Sequence, residues 1–213
     1  MSTHVNNCVH VVWGWSVTKR PEDLFRKHGG QLRMSEAIRL GMSRYMLYKL
    51  LDRGVIERVS RGIYRLVQLP PIGNPDLVTV GLRVPNGVVC LVSALAFHRM
   101  TTQIPHEVSV AVLRGARAPR LDHPPVRAYF FGAAAHAAGV EVHQLDGVEV
   151  RIYNPEKTLA DSVKFRNRIG MDVVQEALKA YRARRRPDYD AVMNYARICR
   201  VDRVILPYLE ALM

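Results

Sequence analysis

The sequence predicts an α+β fold: a small basic unit of helices closed by a β ribbon, then a mixed α/β unit that ends in helices. Three observations predict it. Residues 34–66 read as a short helix, a glycine turn, a second helix, a glycine stop and a two-stranded ribbon. Pro70-Pro71-Ile72-Gly73-Asn74-Pro75 then interrupts the chain, because prolines at this density continue neither helix nor strand. Beyond it, valine-rich alternating runs give way to helical periodicity. The expected organisation is an extension over 1–17, a first unit over 18–69, a linker over 70–75 and a second unit over 76–213.

The first unit opens with Pro21-Glu22-Asp23-Leu24-Phe25, a helix start with proline early and acids in the first turn, ending at Gly29-Gly30. In the next helix Ala37, Ile38 and Leu40 supply an apolar side, and Gly41 ends it. Met34 stands where a polar cap is more usual, with Ser35 as a substitute. Ser43 caps the following helix, where Leu47, Leu50 and Leu51 face a core. Arg44, Tyr45, Tyr48, Lys49 and Asp52 fall on the opposite stripe. A packed face opposed to a basic, aromatic face is what a helix lying in a DNA major groove needs. After Gly54 the ribbon turns at Ser60-Arg61-Gly62, which puts Arg58 and Arg61 near its tip. A bare helical hairpin shares the first half of this pattern; the arginine-tipped ribbon is what makes it a winged helix-turn-helix.

Charge points the same way. The 213 residues carry a formal net charge of +12, which favours a polyanionic partner. Residues 1–70 hold twelve Lys/Arg against five acids, a surplus of seven, and the longer remainder holds the other five. No apolar run approaches the roughly 20 residues that span a membrane. Cys8, Cys90 and Cys199 are far apart and odd in number, so neither a zinc site nor a disulfide framework is indicated, and a cytoplasmic setting is expected. Residues 9–17, with Trp13 and Trp15, lack the basic and small-residue flanks of a signal peptide and read as an extension or a first strand.

In the second unit, 76–83 and 91–98 read as helices, and 107–113, 126–131, 140–145 and 148–153 as strands. Asp146-Gly147 is a two-residue hairpin turn. Asn154-Pro155 starts a helix, and stretches at 172–184, 189–197 and 202–212 finish the chain, the last broken or kinked at Pro207.

Catalytic signatures are sparse. His98, His106, His123, His136 and His143 follow no metal-ligand spacing, so no metal and no cofactor are expected. Ser93 lacks a nucleophile elbow, and no glycine-rich phosphate loop exists. Glu141, Asp146 and Glu149 are the one carboxylate set suited to Mg²⁺, which would make the protein a nuclease targeted by its first unit. Solvated acids on a hairpin account for them better, since Arg151 stands where a metal nuclease usually has a lysine and neighbouring strand side chains alternate faces, and the protein is expected not to be an enzyme. Arg182, Arg184, Arg185 and Arg186 cluster at a helix end, either as solvated cations complementing the dipole or as a second phosphate- or RNA-contacting patch.

Several stretches together resemble the AbiEi family of antitoxins, the transcriptional-regulator half of type IV toxin–antitoxin and phage-defence (abortive infection) operons. They are Gly41-Met42-Ser43-Arg44 through Arg53-Gly54-Val55-Ile56-Glu57-Arg58, the wing Ser60-Arg61-Gly62-Ile63-Tyr64-Arg65, and Leu91 through His98. Gln103-Ile104-Pro105-His106-Glu107-Val108, Asn154 through Asp161 and Lys164 through Gly170 add to them. The resemblance runs from about residue 18 to the C-terminus. It implies an autorepressor binding inverted repeats in double-stranded operator DNA upstream of its own operon. It further implies an antitoxin countering a nucleotidyltransferase-like toxin without a tight complex. Ser43, Arg44, Tyr45, Tyr48, Lys49, Arg58, Ser60 and Arg61 are then the expected DNA-binding residues. An RNA- or toxin-binding protein centred on the second arginine cluster is the rival expectation.

Overall fold

The computed structural model describes residues 20–69 and 73–211. The extension expected over 1–17 and the prolines at 70 and 71 lie outside the described residues. The N-terminal part runs α1 (Pro21–Lys27), β1 (Gln31–Arg33), α2 (Met34–Arg39), α3 (Arg44–Asp52), β2 (Ile56–Ser60) and β3 (Ile63–Leu66). The ribbon is therefore a three-stranded antiparallel sheet in the order β1-β3-β2, because β1 pairs Leu32 with Tyr64. Phe25, Leu32, Ala37, Leu47, Leu50, Ile56 and Tyr64 close its core. Gly41 turns the chain between α2 and α3 at φ +97, a conformation that a side chain would strain.

Two local expectations change. Ile38 is 39% exposed, so the inward side of α2 is carried by Ala37, which is fully buried. Neither Met34 nor Ser35 caps α2: Arg33 holds the cap position with no side-chain bond, and the Met34 N–H donates to the Gly62 carbonyl at 2.9 Å. The wing turn thus supplies the acceptor that a capping side chain would have supplied.

The C-terminal part begins with α4 (Pro75–Arg83), which takes Pro75 as its first residue rather than leaving it in the linker. There follow β4 (Val88–Val89), α5 (Leu91–Phe97), β5 (Val108–Leu113), β6 (Val126–Phe131), α6 (Ala133–Ala137), β7 (Val140–Leu145) and β8 (Val148–Tyr153). Then come α7 (Pro155–Lys164), α8 (Arg166–Ile169), α9 (Met171–Arg182), α10 (Tyr189–Cys199) and α11 (Asp202–Glu210). The five strands form one mixed sheet, β6-β5-β4-β8-β7, in which β4 pairs in parallel with β8 and β5 with β6. Helix α4 packs Leu77, Val78 and Val80 on one face against Val110, Val148, Val150 and Ile152. The other face carries Tyr129, Phe131 and Tyr153 into a core shared with α5, α7, α9, α10 and α11. Pro207 sits inside α11, which continues to Glu210, so the expected break does not occur. As the sixth residue of the helix it removes only one main-chain bond, and Ile205 and Leu209 anchor the helix on either side of it.

The two parts meet around the β7–β8 turn and at the wing. Gln31 Nε2 donates to the Asp146 carbonyl at 3.0 Å, and the Gly73 N–H donates to the Asp146 carboxylate at 3.2 Å. Gly29 and Gly147 lie so close that a Cβ on Gly29 would stand 2.7 Å from the Gly147 carbonyl oxygen. Arg83 at the end of α4 donates to the Arg61 carbonyl at 2.6 Å.

Candidate nucleic-acid interface

Helix α3 begins where Ser43, in extended conformation, accepts a hydrogen bond from the Met46 N–H at 3.1 Å. Such a cap is worth about 1 kcal/mol, and it fixes the first turn that carries Arg44 and Tyr45. Leu47 and Leu50 are buried, while Arg44, Tyr45, Tyr48, Lys49 and Asp52 are all exposed. The helical period therefore separates the two stripes as the spacing predicts. Tyr45 is 74% and Tyr48 47% exposed among the described residues, large fractions for aromatic side chains. The Lys49 ammonium stands 5.8 Å from the centre of the Tyr45 ring, close enough for that ring to steady the cation at the surface.

The ribbon is less simple than alternation suggests. A bulge between Arg58 and Ser60 shifts the register of β2 on β3. Arg58 folds back so that its Nε donates to the Ser60 carbonyl at 3.4 Å. The Ser60 hydroxyl is buried without a protein partner, so Ser60 offers no side-chain donor at the surface. Arg61, at the turn, is exposed. Arg65 points inward and is held by Glu57 at 3.1 Å. Beneath, Tyr64 has its hydroxyl pKa raised by burial and by the neighbouring Tyr48, and lowered by Arg58. Arg44 and Arg61 line one cleft of about 410 Å³, in company with Arg33 and Arg83.

The second cluster, Arg182, Arg184, Arg185 and Arg186, lies at the end of α9 and in the turn after it, every member exposed. Arg184 acts on His98, whose pKa is lowered chiefly by burial and partly by this cation. The structure does not bring this cluster together with α3.

The carboxylates proposed for Mg²⁺ diverge. In the β7–β8 pairing Glu141 faces Ile152 while Glu149 faces Gln144, three positions away on each strand, so the two acids project from opposite faces of the sheet. Glu141 pairs with His143 at 3.2 Å, and Glu149 accepts from Gln144 at 3.3 Å. Among the described residues no group of three or more His, Cys, Asp or Glu side chains is placed to hold a metal ion.

The stretch from Asn154 to Asp161, read from the sequence as a helix start and a family-like motif, holds a polar centre that the sequence did not foretell. In α7, Lys157 and Asp161 are fully buried and paired at 2.5 Å. The Lys157 ammonium also lies 4.2 Å from the Tyr153 ring centre and 4.9 Å from that of Phe131, and the Cys199 thiol donates to Asp161 at 3.1 Å. The i, i+4 spacing of Lys and Asp was visible; that both would be buried was not, since such a pair on a helix is usually solvated.

Residues 19–67 match a family model described as a transcriptional regulator, so this segment is similar to regulator domains. The matched model is that of the AbiEi antitoxin, the family that the motifs of α3 and the wing resemble. The match ends at residue 67, so the C-terminal motifs that suggested the same family lie outside it. No curated protein matches the chain. Among solved structures, the RV2827C protein from Mycobacterium tuberculosis is similar in fold, with a TM-score of 0.51 at 11% identity over 86% of this chain and 76% of that one. Among the described residues no helix is long and apolar enough to cross a membrane.

Proposed function

We propose that α2, α3 and the β2–β3 hairpin form a winged helix-turn-helix that binds double-stranded operator DNA. Residues 18–69 are then the reading unit and 76–213 the antitoxin unit. The observation that carries this reading is the open basic and aromatic stripe of α3, with Tyr45 74% exposed, set against its buried Leu47 and Leu50. Arg44, Tyr45, Tyr48 and Lys49 enter the major groove, the α3 N-terminus at Ser43 approaches a phosphate, and Arg58 and Arg61 clasp the adjacent backbone. Ser60 positions the bulge rather than touching DNA, since its hydroxyl is turned inward.

The protein acts in the cytoplasm as a repressor of its own operon, recognising inverted repeats, and as a non-enzymatic antitoxin in a phage-defence system. It counters a nucleotidyltransferase-like toxin without forming a tight complex. The regulator family matched over 19–67 supports the first role, and the second rests on the resemblance of the motifs. Footprinting on the DNA upstream of its gene tests the first: two protected half-sites about 10 bp apart, or a multiple of that, are expected. Co-expression with the adjacent gene product tests the second: growth is restored, and the two proteins do not co-purify.

A further inference from the structure

We infer that the cleft between the wing and α4 is a seat for a nucleic-acid backbone phosphate, so that Arg83, from the C-terminal part, and Arg33 belong to the DNA interface. This rests on the proposed reading of α3 and extends it across both parts of the chain.

The cleft is lined by four arginines from separate parts of the fold: Arg33 at the end of β1, Arg44 at the start of α3, Arg61 at the wing turn and Arg83 at the end of α4. No acid lines it. Four arginines elsewhere pair with acids, Arg26 with Asp23, Arg39 with Glu36, Arg65 with Glu57 and Arg127 with Glu107; what sets the cleft apart is that four arginines converge on one cavity. Among the described residues none of the four cleft arginines has a carboxylate partner. Among the described residues the Arg83 side chain donates to the Arg61 carbonyl, a neutral acceptor that leaves most of its donors unused. Four uncompensated cations around one cavity repel each other, and the arrangement becomes favourable when an anion enters.

The shape selects the kind of anion. The cleft is open, about 410 Å³, and has apolar walls from Ile38, Ile63 and Leu82. A phosphodiester brings charge for the guanidinium forks and an apolar sugar face for those walls, whereas a free phosphate would leave the walls wet. The cleft adjoins the outer stripe of α3 at Arg44, so a strand lying along α3 continues into it without leaving the surface. Arg83 also fixes the wing turn through the Arg61 carbonyl, which sets where Arg61 points.

The test is a fluorescence-anisotropy titration of the full chain with two labelled duplexes, the promoter region of its own gene and a scrambled sequence, over a range of salt. The variants are Arg83→Gln, Arg33→Gln, Arg83→Lys, Lys49→Ala and, outside the cleft, Arg200→Gln, each checked by thermal melting. Arg83→Gln and Arg33→Gln should each weaken binding about three- to tenfold on both duplexes and lower the salt slope by about one, as the loss of one phosphate contact does. Arg83→Lys should keep the slope, and Arg200→Gln should bind as the wild type. A role for Arg83 in wing geometry alone would leave the slope unchanged, which overturns the seat. If Lys49→Ala weakens binding while both cleft variants bind as the wild type, the seat falls and the reading of α3 stands. If the wild type binds neither duplex, both fall.

Discussion

Gly29 and Gly147 touch backbone to backbone, the first just after α1 and the second in the β7–β8 turn. Both have positive φ, +72 and +77, and a Cβ on either would strike the main chain of the other. The contact therefore requires glycine twice, once for conformation and once for space. The side chain and carbonyl of Asp146, beside it, bind Gly73 and Gln31, so this turn is a latch that holds the two parts at one orientation. Gly147→Ala should cost about 1–3 kcal/mol in urea unfolding, because it combines a strained φ with a main-chain clash. A change within a few tenths of a kcal/mol would show that the latch yields freely.

The pair Lys157–Asp161 makes the opposite kind of prediction. A fully buried ion pair is weak evidence for stability, yet breaking it leaves an uncompensated charge. Burial pushes the Asp161 pKa up, and the Lys157 charge pulls it down. Lys157→Met should destabilise by about 3–5 kcal/mol, and the double variant Lys157→Met, Asp161→Leu should recover much of that loss. Chemical denaturation measures both. Equal instability of the single and double variants would mean that the pair is needed for more than mutual neutralisation.

Stability should fall on mild acidification. His98, half-buried and bound through Nε2 to the Tyr153 carbonyl at 2.7 Å, has its pKa lowered, chiefly by burial. His136, buried near α6, is lowered by burial as well. A lowered histidine pKa means that the unfolded chain binds more protons between the folded pKa and the ordinary 6.5, so this contribution is full above 6.5 and is lost as pH falls through that window. Melting temperature should be level above neutrality and drop on acidification, and His98→Gln should make the drop shallower. A wild-type profile flat to about pH 5 would contradict the assignment.

Much of this fold was legible. The strands 140–145 and 148–153 coincide with β7 and β8 because Asp146-Gly147 marks the turn and the flanking residues alternate. The stripes of α3 followed from helical spacing alone, and Asn154 caps α7 as its residue type suggests. What was missed is short or depends on distant partners. β1 is three residues whose only reason to be a strand is β3, thirty positions on. β4 is two valines at the edge of an apolar run that reads as helix. Of the site, Arg44 and Arg61 were legible because they lie on recognisable motifs, but Arg33 and Arg83 join them through tertiary packing that no local pattern encodes.

The central claim is that the outer stripe of α3 reads a duplex, and base discrimination by single variants measures it most directly. Titrated against the upstream promoter duplex and its scrambled counterpart, Arg44→Ala should lose about 1–3 kcal/mol on the promoter and little on the scramble, collapsing the preference between them. Lys49→Ala should weaken both duplexes equally and reduce the salt slope by about one. Wild-type affinity retained by both variants, with the promoter preference intact, would place DNA recognition elsewhere on the protein and contradict the account.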